Sequence, residues 1–279
     1  VVGGARPDGV VLVRAERAGL AVAALAAVNP NLWINDGILM SESLAAFGMG
    51  LVLLAAYRAW DGPTWRSWAV LGAACGLSAL IRAESVTLTA VMVAPMIVLR
   101  HRHEVRQLLR VAAAASLAFV AVASVWVVPN LVRFDHPVVF STNDGLTLLG
   151  ANCPDTYHGP LTGLWSIECT RFADADRNGT DDWSDLLALR FGDVPPDASR
   201  ASGVYRSVAV RYAGHHLGDL PRVAAVRLGR VWGVYQPGAM ADYNVGEGRR
   251  RVLSWLAWGA HLLLMFPALA GLVSLRRAG

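Results

Sequence analysis

The chain has 279 residues, of which 54% are hydrophobic and 16% are charged. Every basic residue is arginine, and the formal net charge is +4. Because the apolar residues come in long blocks and the arginines sit mostly at the edges of those blocks, the composition indicates a polytopic membrane protein and argues against a nucleic-acid-binding protein.

The amino terminus predicts that the chain begins inside a larger protein. It has no initiator Met, and the stretch VVGGARPDGVVLVRAERAG is polar and Gly-rich. This stretch enters an apolar block directly, without the pattern of a signal peptide.

Six apolar blocks predict six membrane helices, because about 20 residues are needed to cross the hydrocarbon core, within a range of about 17–25. The blocks cover residues 18–34, 38–57, 66–81, 85–99, 107–132 and 252–275. The third and fourth blocks are short and are separated only by the sequence RAE. Together they are too long for one span, which favours a tight hairpin.

The placement of arginine predicts the orientation, because cytoplasmic loops carry an excess of basic residues. With six spans, the arginines that flank the membrane helices all fall on one side: Arg14, Arg17, Arg58, Arg66, the segment RHRHEVRQLLR at 100–110, Arg276 and Arg277. We expect this side to be cytoplasmic. The other side then carries residues 35–37, residues 82–84 and a long segment before the last helix.

The predicted fold is an all-α polytopic membrane protein in three parts. Residues 1–133 form the transmembrane core, and residues 134–251 form an extracytoplasmic, α-rich loop domain between the fifth and sixth helices. Residues 252–279 form the final transmembrane helix and a cytoplasmic tail. The long segment is rich in Asp, Gly, Asn and Pro, which is typical of a loop domain outside the bilayer.

Two of the three cysteines, Cys153 and Cys169, lie in this long segment, whereas Cys75 lies inside the third predicted helix. Two cysteines confined to the outer segment predict a disulfide in an oxidising compartment. The alternative is two unpaired thiols. Zinc is not expected, because no neighbouring set of Cys and His has ligand spacing.

Three stretches of the long segment have helical patterns. Two of them are residues 184–191 and residues 200–217. The third, DLPRVAAVRLGRVWGVY at 219–235, sets three arginines among Val, Leu and Trp, and Asp219 and Pro221 suit a helix start. It predicts an amphipathic helix on the membrane surface or, equally, an ordinary packed helix of the outer domain.

Two acids interrupt the apolar sequence NPNLWINDGILMSESLAAF at 29–47. Asp36 and Glu42 lie at the outer ends of the first two predicted helices, and Glu42 falls one turn inside an apolar run. A carboxylate there is costly unless it faces protein, water or a cation, so it marks a candidate functional site. The alternative is an interfacial Glu that caps a helix start.

The next outer turn, LSALIRAESVTL, contains Arg82 and Glu84. A guanidinium at the membrane boundary can bind a lipid phosphate with two parallel hydrogen bonds. It can also pair with Glu84 or extend to the interface. Together with Asp36 and Glu42, these groups predict a site on one membrane face for a lipid-phosphate substrate and something outside the membrane.

A possible calcium loop, DADRNGTDDWSD, covers residues 174–185. It matches the template of the twelve-residue calcium loop at Asp174, Asp176, Asn178, Gly179, Asp182 and Asp185. It departs from the template at Asp181, where an apolar residue is usual, and at the last position, where Glu is usual. A surface turn explains the same composition equally well.

The stretch FSTNDGLTLLGANCPDTYHGPLTGLW at 140–165 is dense in small polar and aromatic residues. Several of them could bind a sugar by hydrogen bonding and ring stacking: Asn143, Asp144, Asn152, Tyr157, His158 and Trp165. The alternative is a Gly-rich loop domain that needs many turns. The chain contains no Walker loop, dinucleotide fingerprint or Gly-x-Ser-x-Gly motif.

The order of four motifs resembles the family 39-like branch of the GT-C membrane glycosyltransferases. These motifs are NPNLWINDGILMSESLAAF, GLSALIRAES, VWVVPNLVRF and STNDGLTLLGANC. The branch includes the protein O-mannosyltransferases and the lipid A aminoarabinose transferases, and the resemblance is greatest to bacterial, actinobacterial members. It covers nearly the whole chain.

The resemblance implies a plasma-membrane enzyme of the cell envelope that transfers a sugar from a polyprenyl-phosphate donor on the outer face. Glu42 matches the acidic position that opens the helix after a Pro-containing outer turn. Arg82 and Glu84 match the Arg and the acid of the following turn. Trp126 and Asn130 match the end of the fifth helix in a P-W-x-x-R-N pattern.

This last pattern is degraded in the chain. Val125 stands where relatives have Pro, and Pro129 stands where they have Arg. Arg133 or Arg82 would then have to bind the phosphate. Relatives also carry a catalytic Asp in an outer loop upstream of the first residue here, so the resemblance implies a catalytically incomplete fragment.

The sequence therefore predicts a glycosyltransferase in which Arg82 and Arg133 bind the donor phosphate and Glu42 and Asp36 position the acceptor. Those two acids could also hold a divalent cation (Mg²⁺, Mn²⁺ or Ca²⁺). The acceptor is a lipid, glycan or protein. The alternatives are a transporter or flippase for a lipid-linked or anionic solute, although the charges gather at one face, and a non-enzymatic scaffold.

Overall fold

The structure is a computed structural model that describes residues 9–36, 38, 40–170 and 197–278. Within these ranges the chain is helical, with turns and no strand. It divides into two compact units. The first, unit A, comprises Val1–Ser43 and Gln236–Gly279, and the second, unit B, comprises Leu44–Tyr235. The prediction of an all-helical protein is confirmed.

Four helical segments among the described residues are long and apolar enough to cross a membrane. They are Glu42–Asp61, Ala83–His101, Val105–Arg133 and Arg251–Ser274. The helix Trp65–Ile81 is apolar but has only 17 residues. The structure thus supports a membrane protein with spanning helices, while the count of six and the side on which each loop lies remain predictions.

The predicted first span, residues 18–34, is wrong in its boundaries. Helix α1 covers Gly9–Val28, and a separate short helix α2 covers Pro30–Trp33. Asn29 separates the two helices because its backbone is extended and its side chain caps α2 by accepting from the Asn31 amide. Pro30 follows at the first position of α2, where its missing N–H costs nothing.

The core of unit B is built from four consecutive helical segments. Helix α3 covers Glu42–Asp61, and it belongs to unit B from Leu44 onward; α4 covers Trp65–Ile81. A 3₁₀ turn (Ala83–Val86) and a π-helical turn (Thr89–Val93) then lead into α5, Ala94–His101. Helix α6 covers Val105–Arg133 and packs along α4.

The sequence GPTWRS explains why α4 begins where it does. Thr64 is extended and accepts a hydrogen bond from the Ser67 amide, and the Ser67 hydroxyl accepts from the Thr64 amide. This reciprocal capping box satisfies two backbone donors that a helix start would otherwise leave unpaired. Trp68 and Leu71, both fully buried, then begin the apolar face that contacts the rest of the core.

The loop region of unit B, residues 134–235, contains its own helices: α7 (Asp144–Ala151), α8 (Pro154–Tyr157), a 3₁₀ turn (Ile167–Thr170), α9 (Ala198–His215) and α10 (Leu220–Val231). Helix α7 packs against α9. The predicted helices at 200–217 and 219–235 correspond to α9 and α10, whereas the predicted helix at 184–191 lies outside the described residues.

Unit A is completed by two helices near the carboxyl end. Helix α11 covers Pro237–Gly246 and α12 covers Arg251–Ala278. Both α2 and α11 pack against α12. The Asn31 side-chain amide donates to the Ala257 carbonyl (2.8 Å), which fixes α2 on the first turns of α12.

Candidate functional site

The two acids predicted to be catalytic both lie in unit A. Asp36 sits in the turn after α2, where it is exposed, and its Oδ1 accepts a hydrogen bond from the Ser43 hydroxyl. Glu42 is the first residue of α3, and its Oε2 is buried. Negative groups at a helix start are stabilised by the positive end of the helix dipole, so both carboxylates suit this position.

A largely buried arginine holds the turn that carries Asp36 and leads to Glu42. The Arg249 side chain is only 12% exposed, and its Nε donates to Asn35 Oδ1 at 2.8 Å. Its Nη1 donates to Asn244 Oδ1 (2.7 Å) and forms an ion pair with Glu247. Asn35 itself is only 8% exposed. The turn that carries Asp36 is therefore held in place by hydrogen bonds from a charged side chain.

This brace was not predicted from the sequence. Arg249 belongs to the run RRR that precedes the last apolar block. Arginines at such a position commonly flank a membrane helix, so the run by itself does not indicate a contact with another segment. Its partner Asn35 is 214 positions away along the chain. The available signal was the neighbouring Glu247, because an acid beside a basic run favours a local ion pair.

The predicted phosphate-binding Arg82 lies in unit B, in the break between α4 and the 3₁₀ turn that follows. Its extended backbone ends α4, and its amide donates to the Ser78 carbonyl. The Arg82 guanidinium stands 3.8 Å from the Glu84 carboxylate, and the two side chains are 39% and 71% exposed. A pair this exposed contributes little to stability.

The degraded motif at the end of α6 still has a structural role. The helix continues through Pro129 to Arg133, whose guanidinium lies over the Phe134 ring at 5.6 Å. The Trp126 indole N–H donates to the Phe140 carbonyl (2.8 Å). This bond ties the start of the loop region to the last turns of α6.

Four of the six residues predicted to contact a sugar illustrate how their exposure differs. Asn143 is exposed and Trp165 is half-buried, whereas Asn152 and Tyr157 are buried. The Tyr157 hydroxyl donates to Asn152 Oδ1 at 2.9 Å, and the Asn152 amide donates to the Leu148 carbonyl. Burial raises the pKa of Tyr157, so it stays a neutral donor. Of these four, Asn143 and Trp165 are therefore the ones that a ligand can reach without local opening.

The cysteines and α10 hold this loop region together. The structure joins Cys153 and Cys169 in a disulfide within an apolar cluster. From α10, Arg222 donates to the Tyr157 carbonyl (2.6 Å), Arg227 donates to the Ala151 carbonyl, and Arg230 donates to the Thr162 carbonyl (2.7 Å). These three bonds favour the packed-helix alternative for α10, since its arginines bind protein carbonyls.

The pKa of Asp144 in the loop region makes the stability of the fold depend on pH. Burial raises the pKa of Asp144, but hydrogen bonds from Ser202 and Arg206, together with the Arg206 charge, outweigh burial and lower it. A lowered pKa stabilises the fold above the usual pKa of Asp, about 4, and this contribution is lost as the pH falls through the lowered value.

We therefore expect Asp144→Asn to cost about 0.5–1 kcal/mol at pH 7, a value discounted for the half-exposed ion pair. The difference from wild type should shrink below about pH 4. Thermal unfolding of the detergent-solubilised protein at pH 7 and pH 3 measures it, with the exposed Asp155→Asn as control. An equal difference at both pH values would contradict the linkage.

The predicted calcium ligands, Asp174 to Asp185, lie outside the described residues. Among the residues that the structure does describe, no group of three or more His, Cys, Asp or Glu side chains is placed to hold a metal ion. Asp36 and Glu42 thus lack a third ligand of this kind in the described ranges.

Comparisons with known proteins find no relative of the chain. No protein family matches it, and neither do curated proteins nor solved structures. The resemblance to the GT-C glycosyltransferases therefore stays a prediction from the four sequence motifs.

Proposed function

We propose that the chain belongs to a membrane glycosyltransferase that moves a sugar from a polyprenyl-phosphate donor to an extracytoplasmic acceptor. The observation that carries the proposal is the turn of unit A that contains Asp36 and leads to Glu42. It presents the exposed Asp36 and the helix-initiating Glu42, and it is held by a hydrogen bond from the largely buried Arg249 to Asn35. Placing ionisable side chains next to apolar membrane helices costs free energy, and residues retained at that cost typically belong to functional sites.

In the proposed transfer, the bond between the anomeric carbon and the donor phosphate oxygen breaks. A bond from an acceptor hydroxyl oxygen to the same carbon forms, and the hydroxyl proton passes to a carboxylate, with Glu42 or Asp36 as the acceptor of that proton. Polyprenyl phosphate leaves with the bonding electrons. A carboxylate in this role contributes about 10²–10⁴-fold as a general base.

Arg82 is proposed to neutralise the leaving phosphate. Its planar guanidinium can form two parallel hydrogen bonds with phosphate oxygens, and its exposed pair with Glu84 is weak enough to exchange for such a ligand. Arg133 is a second cation for the donor. Its guanidinium lies 5.6 Å from the centroid of the Phe134 ring, at the end of α6.

The turn that carries Arg82 follows the part of α4 that packs against Gly48 of α3 within unit B. Modelling a Cβ on Gly48 of α3 would bring it to 2.9 Å from the Ser78 hydroxyl and 3.3 Å from Ile81 of α4, one turn or less before Arg82.

The experiment measures sugar transfer in membranes that contain the protein encoded by its natural gene. Glu42→Gln and Arg82→Gln should each lower the rate by about 10²-fold or more, because each removes a group that acts on the reacting atoms. Asp242→Asn and Arg66→Gln are matched controls, since they neutralise exposed charges on helices α11 and α4. Wild-type rates in Glu42→Gln and Arg82→Gln would contradict the assignment.

A further inference from the structure

A second site stands out on the α5–α6 turn of unit B, and it does not depend on the proposed function. A cavity of about 340 Å³ is lined by Pro63, Arg100, His101, His103, Glu104 and Gln107. This volume is at the lower end of small-molecule sites, about 300–1,000 Å³. Because Pro63 comes from the α3–α4 turn, the cavity also shows that these two helix turns meet at one end of the core.

The position of the cavity fixes its depth in a bilayer. One apolar segment of spanning length ends at His101, and the next begins at Val105. The cavity therefore lies where two membrane helices leave the hydrocarbon, which is the level of the lipid headgroups. Four arginines and one glutamate stand between positions 100 and 110, so the surroundings are strongly cationic.

The lining residues are suited to an anion rather than to an apolar ligand. Arg100 supplies a guanidinium with donors that match phosphate oxygens. The Arg102 Nε donates to His103 Nε2 at 3.0 Å, which leaves Nδ1 as the protonated nitrogen of the neutral His103 ring. Gln107 adds an amide. The cavity thus gathers a fixed positive charge and neutral donors in one wall.

His101 supplies an independent observation. It is 92% buried, and its ring packs edge-on against the fully buried Trp68 with ring centroids 5.8 Å apart. Neither His101 Nε2 nor Trp68 Nε1 has a hydrogen-bond partner among the described residues. Buried polar atoms in native proteins are almost always paired, so the unpaired nitrogen of His101, which lines the cavity, points to a ligand there.

We propose that this cavity binds the phosphate group of an anionic phospholipid headgroup. Phosphate suits the lining because Arg100 and the two histidines provide donors, whereas a single acid, Glu104, faces the same space. A lipid is the favoured source because the cavity opens at headgroup depth between two apolar helices. Free phosphate has the same chemistry, and the experiment separates the two sources.

The experiment uses the full chain, purified in detergent and incubated with mixed micelles of phosphatidylglycerol or phosphatidylcholine. The lipid that remains bound after purification is quantified by native mass spectrometry. We expect a several-fold excess of phosphatidylglycerol over phosphatidylcholine. Arg100→Gln should abolish that excess, and His103→Gln should reduce it.

The matched control is Arg106→Gln, which removes an exposed arginine of the same segment that does not line the cavity. It should retain the excess of phosphatidylglycerol, and all variants should keep the wild-type melting temperature. Equal loss in Arg100→Gln and Arg106→Gln would overturn the proposal, because only the general positive potential would then attract lipid. Displacement by millimolar inorganic phosphate without any lipid preference would overturn the lipid source.

Discussion

Replacing Gly72 by alanine is expected to lower the free energy of unfolding by about 3 kcal/mol, which is large for the addition of one methyl group. A Cβ on Gly72 would lie 2.0 Å from the Ala115 carbonyl oxygen of α6. The obstruction is backbone, so it cannot be relieved by rotating a side chain. Helices α4 and α6 would have to separate, and the fully buried Leu71 and Val111 would lose contacts.

Two neighbouring glycines turn this expectation into a graded series. At Gly76, one helical turn later, a Cβ would lie 2.9 Å from the Phe119 carbonyl oxygen, so Gly76→Ala should cost less, about 1–3 kcal/mol. Gly50 of α3 has no atom within 4 Å of such a Cβ, and Gly50→Ala should be neutral or slightly stabilising. Thermal unfolding in detergent micelles ranks the three variants. Equal melting temperatures for Gly72→Ala and Gly50→Ala would show that α4 and α6 do not approach this closely.

Removal of the Cys153–Cys169 disulfide is expected to have the second large effect. The bridge closes a loop with a sequence separation of 16, for which chain entropy predicts about 3 kcal/mol of stabilisation. Both cysteines are buried with Leu149 and Val208, so the loss also loosens the contact between α7 and α9. We expect reductant to increase hydrogen exchange in α7 and α9 and to leave α4 and α6 protected.

The Cys153→Ala/Cys169→Ala variant is the control for this experiment. It should show the fast exchange of α7 and α9 without reductant, and reductant should change nothing further. Cys75 is buried in the helical core away from these helices, so Cys75→Ala should respond to reductant as wild type does. Wild-type exchange rates that do not respond to reductant would contradict a stabilising bridge.

The sequence predicted helices well wherever an apolar block is bounded by its own capping residues. The block 66–81 corresponds to Trp65–Ile81 because Thr64 and Ser67 cap its start and the extended Arg82 ends it. The prediction failed at residues 18–34, where apolar composition hides the Asn29–Pro30 break. Hydropathy averages over such a break, although Asn before Pro is itself a turn signal.

The candidate site was predictable only in part, for a physical reason. Glu42 and Asp36 could be predicted as candidate site residues, because a carboxylate in an apolar run costs free energy and therefore indicates a function. The role of Arg249 could not be predicted, because its contact with Asn35 forms only when distant segments of the chain fold together. The same applies to the arginines of α10, whose alternation with Val and Leu fits either a bilayer surface or the carbonyls they actually bind.

The burial of Tyr157 and Asn152 illustrates a second limit. A loop dense in aromatic and amide side chains has the composition of a sugar site, yet these two residues bond to each other inside the loop region. Composition specifies which groups can form hydrogen bonds, and only the fold specifies whether their partners are internal. Asn143 and Trp165 are the positions at which the sugar prediction can be tested by substitution.

The most direct test of the central claim uses proteoliposomes that contain the protein and a polyprenyl-phosphate sugar labelled at its anomeric carbon. The measurement is the fate of the labelled sugar. The proposed function predicts that labelled sugar moves to an acceptor hydroxyl, that unlabelled polyprenyl phosphate appears in equal amount, and that Glu42→Gln prevents both. Passage of the intact lipid-linked sugar across the bilayer, with its bond to phosphate unbroken, would contradict glycosyl transfer and indicate a flippase.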